Sequence, residues 1–189
     1  MSKIRTFFAV NLSSKIRQNA SRLIDRMADT GADYKWVTEE TLHITLNFVG
    51  DVPEKEVTDL CVDVKKTLDG ERKFMLAVSG IGGFPSLAEP RTIWLGITEG
   101  SEELANLNQK LADLLARWGF PKDRHDFHAH LTLGRLRRGG RWNQSLTDFL
   151  ETHQYHDAGM CSVDEVVVNS SYLDRSGPTY TPMTRVKLK

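Results

Sequence analysis

The amino-acid sequence predicts an α+β fold of two pseudo-symmetric lobes, and three observations support this prediction. Strand-like and helix-like segments alternate along the 189 residues. The order of these segments in the first half is repeated in the second half. The tetrapeptide HITL at His43 also returns as HLTL at His130, at the same place in the repeated order. The length suits a single domain, so we expect one bilobal domain over residues 1–189, built by an internal duplication.

The first half, approximately residues 1–83, begins with a strand and a helix. β-Branched and aromatic residues predict a strand over Lys3–Asn11. Ser13 or Ser14 can cap the helix that follows, and Gly31 ends it. The apolar residues of this helix recur on one side: Ile16, Ala20, Leu23 and Met27.

A strand, a second helix and a third strand complete this half. Residues Leu42–Val49 alternate strictly between apolar and polar, which predicts a half-buried strand. Pro53 opens a helix that Gly70 ends. Phe74–Val78 is the third strand, and we expect the glycine-rich segment SGIGGFPS after it to be a turn. It is not a phosphate-binding loop, because it leads into Pro85 rather than into a helix.

The second half, approximately residues 90–175, repeats this order. Thr92–Ile97 is a predicted strand, and Ser101 precedes a helix with a clear leucine stripe that Gly119 ends. Phe127–Arg135 is the strand that carries the second motif. The remaining predicted elements are a helix at Trp142–Leu150, a strand at Val163–Val168, a turn at RSGPTY and a closing strand at Tyr180–Leu188. This order alone leaves parallel and antiparallel sheets open.

The two H-x-T strands carry the functional signal. Thirty-six residues separate Phe7 from His43, and 37 separate Ile93 from His130, so the motifs occupy equivalent places. One such motif in a strand has little meaning, because most histidines are ordinary surface or core residues. Two copies in matching places, both written H-[IL]-T-L, favour a shared site.

Alternation along each strand places the polar side chains of a motif together. His43 and Thr45 share one face, as do His130 and Thr132, while the intervening apolar residues face a core. If a pseudo-two-fold axis relates the halves, both imidazoles and both hydroxyl groups converge on one cleft. Imidazoles with an ordinary pKa near 6.5 can divide the roles of acid and base at neutral pH. With hydroxyl donors beside them, they suit displacement at a phosphodiester without a metal.

Two other kinds of site fit the same residues. An RNA-binding module could hold a terminal phosphate on these side chains without turning it over. A histidine-ligated metallohydrolase is the other alternative, because His128 shares a face with His130. We prefer a peripheral His128, since neither motif contributes a convergent carboxylate or thiol, and we expect His125 in a loop.

Composition excludes several classes of protein. Lys and Arg total 25 and Asp and Glu total 25, so the formal net charge is zero. A broad positively charged surface that binds duplex nucleic acid is therefore not expected. No apolar run is long enough to span a membrane, and the N-terminal apolar stretch is too short for a secretory signal. Cys61 and Cys161 are far apart and form no C-x-x-C pair. We therefore expect a soluble cytoplasmic protein without membrane contact.

Several segments resemble a known group. LHITLNFVGDV and FHAHLTLGR resemble the paired signatures of the 2H phosphoesterase superfamily. RTFFAVNL, RTIWLGI and VVVNSSYLDRSGPTY are similar to its RNA 2′,3′-cyclic phosphodiesterase (2′-5′ RNA ligase) branch. The resemblance covers nearly the whole chain. It implies a cleft between two antiparallel sheets with helices on their outer faces. It also implies metal-free hydrolysis of RNA 2′,3′-cyclic phosphates to 2′-phosphomonoesters, and a second, reversible reaction, 2′-5′ ligation.

The resemblance also implies roles for the four motif residues. His43 matches the proton donor to the departing 3′ oxygen, and His130 matches the proton acceptor that activates water. Thr45 and Thr132 match the phosphate-binding hydroxyl groups. The residue types alone leave donor and acceptor interchangeable. The expected partners are RNA ends or small 2′,3′-cyclic nucleotides, with no cofactor, no metal and a monomeric protein.

Phe48 and Arg135 form a hypothesised nucleobase site, since each follows its histidine by five residues. An aromatic ring and a guanidinium plane can hold a base between them. Strand parity places both side chains behind the histidines unless a bulge intervenes, and Gly50 and Gly134 allow one. The alternative for Phe48 is packing in the core. Three further rings could face the site, although each is of a type more often found in a core: Phe7, Tyr172 and Tyr180.

Overall fold

The computed structural model describes residues 2–121, 126–174 and 177–189, so His125 and part of the predicted RSGPTY turn lie outside the described residues. Over the described residues the chain forms nine strands and four α-helices. The strands are Lys3–Asn11 (β1), Tyr34–Trp36 (β2), His43–Pro53 (β3), Phe74–Phe84 (β4), Thr92–Glu99 (β5), His130–Leu136 (β6), Asp157–Val163 (β7), Glu165–Leu173 (β8) and Pro178–Lys187 (β9). The helices are Ser14–Ala28 (α1), Glu54–Thr67 (α2), Ser101–Arg117 (α3) and Gln144–Thr152 (α4).

The strands form two antiparallel sheets, which confirms the predicted α+β fold of two lobes. One sheet has four strands in the order β3-β1-β8-β9, and the other has five in the order β2-β6-β5-β4-β7. Helices α2 and α3 pack against the four-stranded sheet, and α1 packs against the five-stranded sheet. Helix α4 is tied to the end of α1 by a hydrogen bond of 2.8 Å from Asn143 Nδ2 to the Thr30 carbonyl.

Each sheet takes strands from both predicted halves. Strand β4 closes the first half but lies in the five-stranded sheet, between β5 and β7. Strand β8 belongs to the second half but pairs with β1. The lobes are therefore not the two halves of the chain, and the duplication itself stays a prediction. The exchange ties the halves together, because neither sheet can form without the other half.

Several helix boundaries follow from capping side chains. The Ser13 hydroxyl group accepts a hydrogen bond from the Ile16 amide at 3.4 Å, which begins α1 as the sequence indicates. Asn143 accepts from the Leu146 amide at 2.9 Å, so α4 begins at Gln144 rather than at Trp142. Local hydrogen-bonding residues thus decide these helix ends.

The prediction of a turn at the glycine-rich segment is wrong. These residues continue β4 to Phe84, with an irregularity where Gly80 adopts a φ of +82°. Gly82 lies under the indole ring of Trp94 on β5, and a Cβ atom there would collide with that ring. The glycines therefore serve a bulge and a close contact between strands rather than a chain reversal.

Two edge strands were missed by sequence analysis. Strand β2 has only three residues, and β7 has the sequence DAGMCSV with no regular alternation. Each forms an edge of the five-stranded sheet, where pairing with the neighbouring strand rather than intrinsic propensity decides the conformation.

Most of the buried apolar residues in the described ranges form one cluster, which includes residues of both H-x-T strands, such as Ile44 and Leu131. Within the described ranges, the helices are all too short or too polar to cross a bilayer. The cytoplasmic location stays a prediction.

Candidate active site

The strands that carry the two H-x-T motifs, β3 and β6, are in contact where the two sheets meet. The predicted alternation is confirmed on both strands. Ile44 and Leu131 are fully buried, and the next apolar residues along each strand are also buried. The histidines and threonines of both motifs, on the opposite face, remain partly exposed to solvent.

Each histidine is held by the same backbone contact. His43 Nδ1 lies 2.7 Å from the carbonyl oxygen of Thr41, and His130 Nδ1 lies 2.7 Å from the carbonyl oxygen of His128. A carbonyl oxygen only accepts, so Nδ1 carries the proton in both rings and Nε2 is the atom left for chemistry. The partner is in each case the residue two positions earlier, which makes the two sites equivalent.

Thr45 completes the first motif. Its hydroxyl oxygen lies 3.0 Å from His43 Nε2. When this nitrogen is neutral the hydroxyl group donates to it, and when it is protonated the nitrogen donates instead. The hydroxyl group can therefore follow a change in the protonation of His43 without moving.

A one-residue bulge follows the threonine in both motifs. Along β3, Thr45 and Asn47 face consecutive residues of β1, so Leu46 is the extra residue. Along β6, Thr132 and Gly134 face consecutive residues of β5, so Leu133 is the extra residue. The bulge therefore lies at the final leucine of H-[IL]-T-L in each strand.

These bulges overturn the parity argument against Phe48 and Arg135. A one-residue bulge exchanges the faces of all residues beyond it, which returns both side chains to the histidine face. Phe48 is 63% exposed, so it does not pack in the core. Arg135 lies close enough to affect the titration of both His43 and His130, and its guanidinium group donates to Thr92 Oγ1 at 3.4 Å.

Aromatic rings surround each histidine. The ring centroid of His43 lies 5.1 Å from that of Phe7 and 5.2 Å from that of Tyr180. The centroid of His130 lies 5.3 Å from Phe84 and 6.1 Å from Trp94. Each imidazole is therefore packed against aromatic rings.

Phe7 and Tyr180 were predicted from the sequence as ring surfaces, whereas Phe84 and Trp94 were not. Trp94 on β5 pairs with Thr132 on β6, so its ring lies on the same face of the sheet as Thr132 and His130. The pairing of these two strands is the signal that could have identified Trp94. The third ring, Tyr172, is 70% exposed, and its ring makes no contact with either histidine among the described residues.

Burial and local charge set the protonation of the two histidines. Burial lowers the pKa of His43, and the positive charge of Arg135 lowers it further, against the opposing effect of the Thr41 carbonyl. Burial also lowers the pKa of His130, the hydrogen bond to the His128 carbonyl opposes this, and the charges of His128 and Arg135 add to the lowering. Both rings are therefore mostly neutral at pH 7 in the free protein.

His128 lies beside the second motif, with its ring stacked at 26° on that of His130 and a centroid distance of 6.0 Å. Within residues 2–121, 126–174 and 177–189, no group of three His, Cys, Asp or Glu side chains is arranged to hold a metal ion. Independence from metal stays a prediction.

The fold and the site define a class of protein, the phosphoesterases with two H-x-T histidines on opposed strands of a bilobal α+β domain. The family model described as LigT-like phosphoesterase matches residues 10–94 and again residues 95–180. The chain belongs to this family, which confirms the resemblance seen in the sequence.

Relatives with curated names agree with this assignment. The chain is 35% identical over 186 residues to an RNA 2′,3′-cyclic phosphodiesterase of Methanothermobacter thermautotrophicus, covering 98% of this chain and 100% of that protein. It is 30% identical over 182 residues to the Aquifex aeolicus protein of the same name, covering 96% and 95%.

Solved structures show the same fold. The structure of Escherichia coli LigT complexed with 3′-AMP is 25% identical, with a TM-score of 0.77 over 100% of this chain and 99% of that chain. A structure from Thermus thermophilus reaches a TM-score of 0.80 at 23% identity, over 98% of each chain.

Proposed function

We propose that this protein hydrolyses 2′,3′-cyclic phosphates at RNA ends to 2′-phosphomonoesters by two-histidine acid–base catalysis. The observation that carries the proposal is the matched pair of imidazoles, each with Nδ1 fixed by a backbone carbonyl, so that Nε2 is the atom available for proton transfer. Two relatives of nearly full coverage are named RNA 2′,3′-cyclic phosphodiesterase, which supports the same activity.

In the proposed mechanism, the bond that breaks joins phosphorus to the 3′ oxygen. His130 Nε2 takes a proton from a water molecule as its oxygen attacks the phosphorus in line with the departing 3′ oxygen. His43 Nε2 gives a proton to that oxygen, and the phosphate remains on the 2′ oxygen. The hydroxyl groups of Thr45 and Thr132 donate to the phosphoryl oxygens, where negative charge develops.

The lowered pKa values have a role in this mechanism. Burial and the Arg135 charge keep His130 neutral, as a base requires. His43 must carry a proton when it acts, and a bound phosphodiester anion raises the pKa of a neighbouring imidazole. The substrate thus supplies the charge that converts His43 from a neutral ring into an acid.

The base of the terminal nucleotide is proposed to lie between Phe48 and Arg135. The equivalent bulges of β3 and β6 place these residues at matching positions on the histidine face of each strand. A phenyl ring and a guanidinium plane offer two flat surfaces that accept any nucleobase, which suits an enzyme that acts on ends of varied sequence.

The test uses protein treated with EDTA and a 2′,3′-cyclic nucleotide as substrate. Wild-type protein should turn over fully without metal and release the 2′-phosphate. His43→Ala and His130→Ala should each lower kcat by about a hundred- to ten-thousandfold, because proton transfer contributes about 10²–10⁴-fold per group.

The matched control is His128→Ala, which keeps the backbone carbonyl that holds His130 and should retain most activity. A protein that binds the nucleotide without turnover would favour the RNA-binding alternative. Activity that returns only with added metal, and is lost in His128→Ala, would favour the metallohydrolase.

A further inference from the structure

Three positively charged side chains lie at one end of the cleft, and only Arg135 has a role in the proposed hydrolysis. Lys35 pairs with Arg135 across β2 and β6, so the two side chains share one face of the five-stranded sheet. Arg5 lies two residues before Phe7 on β1, and alternation therefore places it on the same face as the ring that contacts His43. Cations of both sheets thus face the cleft at this end.

The position of Arg5 along the cleft follows from the pairing of β1 with β3. Asn11 pairs with His43, Phe7 pairs with Phe48, and Arg5 comes next along β1 on that face. Arg5 therefore lies beyond the site proposed for the base, as seen from His43. In a nucleotide, the base and the 5′ carbon both leave the ribose on the side away from the 2′ and 3′ oxygens. A phosphate on the 5′ side is therefore the group that would reach this end of the cleft.

Lys35 reaches from one sheet to the other. A Cβ atom on Gly177, which lies just before β9, would be 3.7 Å from Lys35 Nζ. Tyr180 follows on β9, and its ring centroid lies 5.2 Å from that of His43 and 4.9 Å from that of Phe7. The ammonium group of Lys35 is therefore held close to the strand whose tyrosine lines the cleft.

Tyr180 adds a hydroxyl group to these cations. Burial raises the pKa of Tyr180, and the positive charges of Arg135 and Arg5 oppose this rise. Both guanidinium groups therefore lie close enough to act on the phenol oxygen. A phenol hydroxyl group and a guanidinium group both donate hydrogen bonds, which suits the oxygens of a phosphate.

The positive charge of Arg5 and Lys35 is not neutralised by ion pairs. Both side chains are exposed, and neither forms an ion pair with a carboxylate in the described ranges. Asp51 lies opposite Arg5 on β3, but no ion pair joins the two side chains. Arg185, by contrast, is paired with Glu165. A phosphate can therefore bind Arg5 and Lys35 without first displacing a carboxylate.

We propose that Arg5, Lys35 and the Tyr180 hydroxyl group form a subsite for the phosphodiester on the 5′ side of the terminal nucleotide. A cyclic mononucleoside has no phosphate at this place, so the subsite favours the end of an RNA chain over a cyclic mononucleotide. The proposal rests on the proposed function, since that function places the cyclic phosphate between the histidines and the base between Phe48 and Arg135.

The test compares two substrates that differ only in one charge. Both are diadenosine dinucleotides that end in a 2′,3′-cyclic phosphate. One has the natural phosphodiester between its nucleosides, and the other has an uncharged methylphosphonate there. Wild-type protein should have a kcat/KM at least about tenfold higher for the natural dinucleotide, because hydrogen bonds to a charged group contribute more than those to a neutral one.

The double variant Arg5→Gln/Lys35→Gln should reduce this preference to within about twofold, because it removes both charges of the subsite. Its matched control is Arg72→Gln/Lys73→Gln, which makes the same two changes at exposed residues between α2 and β4 and should keep the preference. Tyr180→Phe keeps the ring beside His43 and removes the hydroxyl group. It should lower the preference by about two- to tenfold.

Equal kcat/KM for the two dinucleotides in wild type would overturn the proposal, as would an equal loss of preference in the two double variants. A third substrate is the cyclic mononucleotide with a 5′-phosphate. If this phosphate raises kcat/KM while the phosphodiester of the dinucleotide does not, the site takes a free 5′-phosphate and the assignment to RNA is wrong.

Binding separates the subsite from the proposed function. The two dinucleotides are prepared with a 3′-phosphate in place of the cyclic phosphate, so that only affinity is measured. Wild type should bind the natural form at least about tenfold more tightly, and Arg5→Gln/Lys35→Gln should lose this difference. The difference in affinity without any hydrolysis of the cyclic substrates would reject the proposed function and leave the subsite standing. Hydrolysis without the difference in affinity would reject the subsite alone.

Discussion

Arg135 combines two properties at the site, a positive charge and a flat surface. Its charge lowers the pKa of both His43 and His130, and its guanidinium plane is proposed to cover the nucleobase. A residue with both roles links substrate binding to the protonation of the catalytic groups. The two roles predict different effects on kinetics, so they can be separated by substitution.

Arg135→Ala should shift the pH dependence of kcat/KM to higher pH on both limbs. The charge of Arg135 lowers both histidine pKa values in the free protein, so its removal raises them, and kcat/KM reports groups of the free protein. Arg135→Lys keeps the charge and should leave both limbs near their wild-type positions. It should still raise KM, because lysine has no planar group. Limbs that do not move in Arg135→Ala would show that the charge is too distant to matter.

Phe48 has a simpler role, because its exposed ring makes little contribution to the core. Phe48→Ala should raise KM for a cyclic nucleotide by about five- to 160-fold, since stacking of a base on an aromatic ring contributes about 1–3 kcal/mol. The unfolding free energy should change little. Tyr155→Ala, at a ring that is 85% exposed just after α4, is the control and should alter neither quantity. An unchanged KM in Phe48→Ala would reject the base site.

At the scale of the element, the bulge in each H-x-T strand decides which residues reach the cleft. The histidine and threonine of each motif lie on one face of the strand by normal alternation. The bulge shifts the alternation by one residue, so Phe48 and Arg135 lie on that same face. Sequence parity alone predicts the opposite, which is why Phe48 and Arg135 could be proposed from their equivalent positions but not from strand geometry. Gly50 and Gly134 indicated that each strand could contain a bulge, but they did not show at which residue it occurs.

The contact between β4 and β5 gives a second test at this scale. Gly82→Ala should destabilise the protein by about 1–3 kcal/mol, because its Cβ would collide with the Trp94 indole in a packed sheet. Displacement of Trp94 should also lower kcat/KM, since this ring contacts His128 and His130. The measurements are urea unfolding and steady-state kinetics.

Trp94→Phe provides the partner for a double-mutant cycle. A smaller ring should relieve the collision, so Gly82→Ala combined with Trp94→Phe should cost less than the sum of the single changes. Strictly additive changes in the unfolding free energy would show that the Trp94 indole does not require the absence of a Cβ atom at Gly82.

The same elements show what the sequence could predict. The bounds of long helices such as α1 and α3 were predicted within a few residues. Their buried residues recur at helical spacing, and this spacing is visible in the sequence. Strand β7 and the glycine-rich end of β4 were not predicted, because their conformation depends on the neighbouring strand. The shared face of the histidine and threonine in each motif was predicted from strand alternation, whereas the roles of these four residues stay predictions. The ring of Trp94 was missed because its place opposite Thr132 depends on the register of two strands.

At the scale of the whole molecule, the exchange of strands β4 and β8 makes the two lobes one folding unit. The first half supplies β4 to the five-stranded sheet, and the second half supplies β8 to the four-stranded sheet. The two motifs therefore sit on strands whose relative position is fixed by both sheets at once. This suits a reaction that requires two imidazoles on opposite sides of one phosphorus atom.

Titration of the histidines should appear in the stability of the whole molecule. The pKa values of His43, His130 and His156 are all lowered, in each case chiefly by burial. For His156, the charges of His153 and Arg26 add to the lowering, and Asp157 opposes it. The folded protein therefore binds fewer protons than the unfolded chain at pH values below the ordinary histidine pKa of about 6.5.

The unfolding free energy should accordingly be greatest above about pH 6.5 and fall progressively as the pH is lowered to 5.5. Carboxylates titrate mainly below this window, so the slope reports the histidines. Urea unfolding at several pH values between 5.5 and 7.5 measures it. The Nε2 atom of His156 is buried and has no hydrogen-bond partner among the described residues. His156→Gln removes this one of the three titrating groups, so it should make the dependence of the unfolding free energy on pH shallower. Stability that stays constant or rises toward pH 5.5 would contradict the lowered pKa values, and with them the neutral imidazoles on which the proposed mechanism depends.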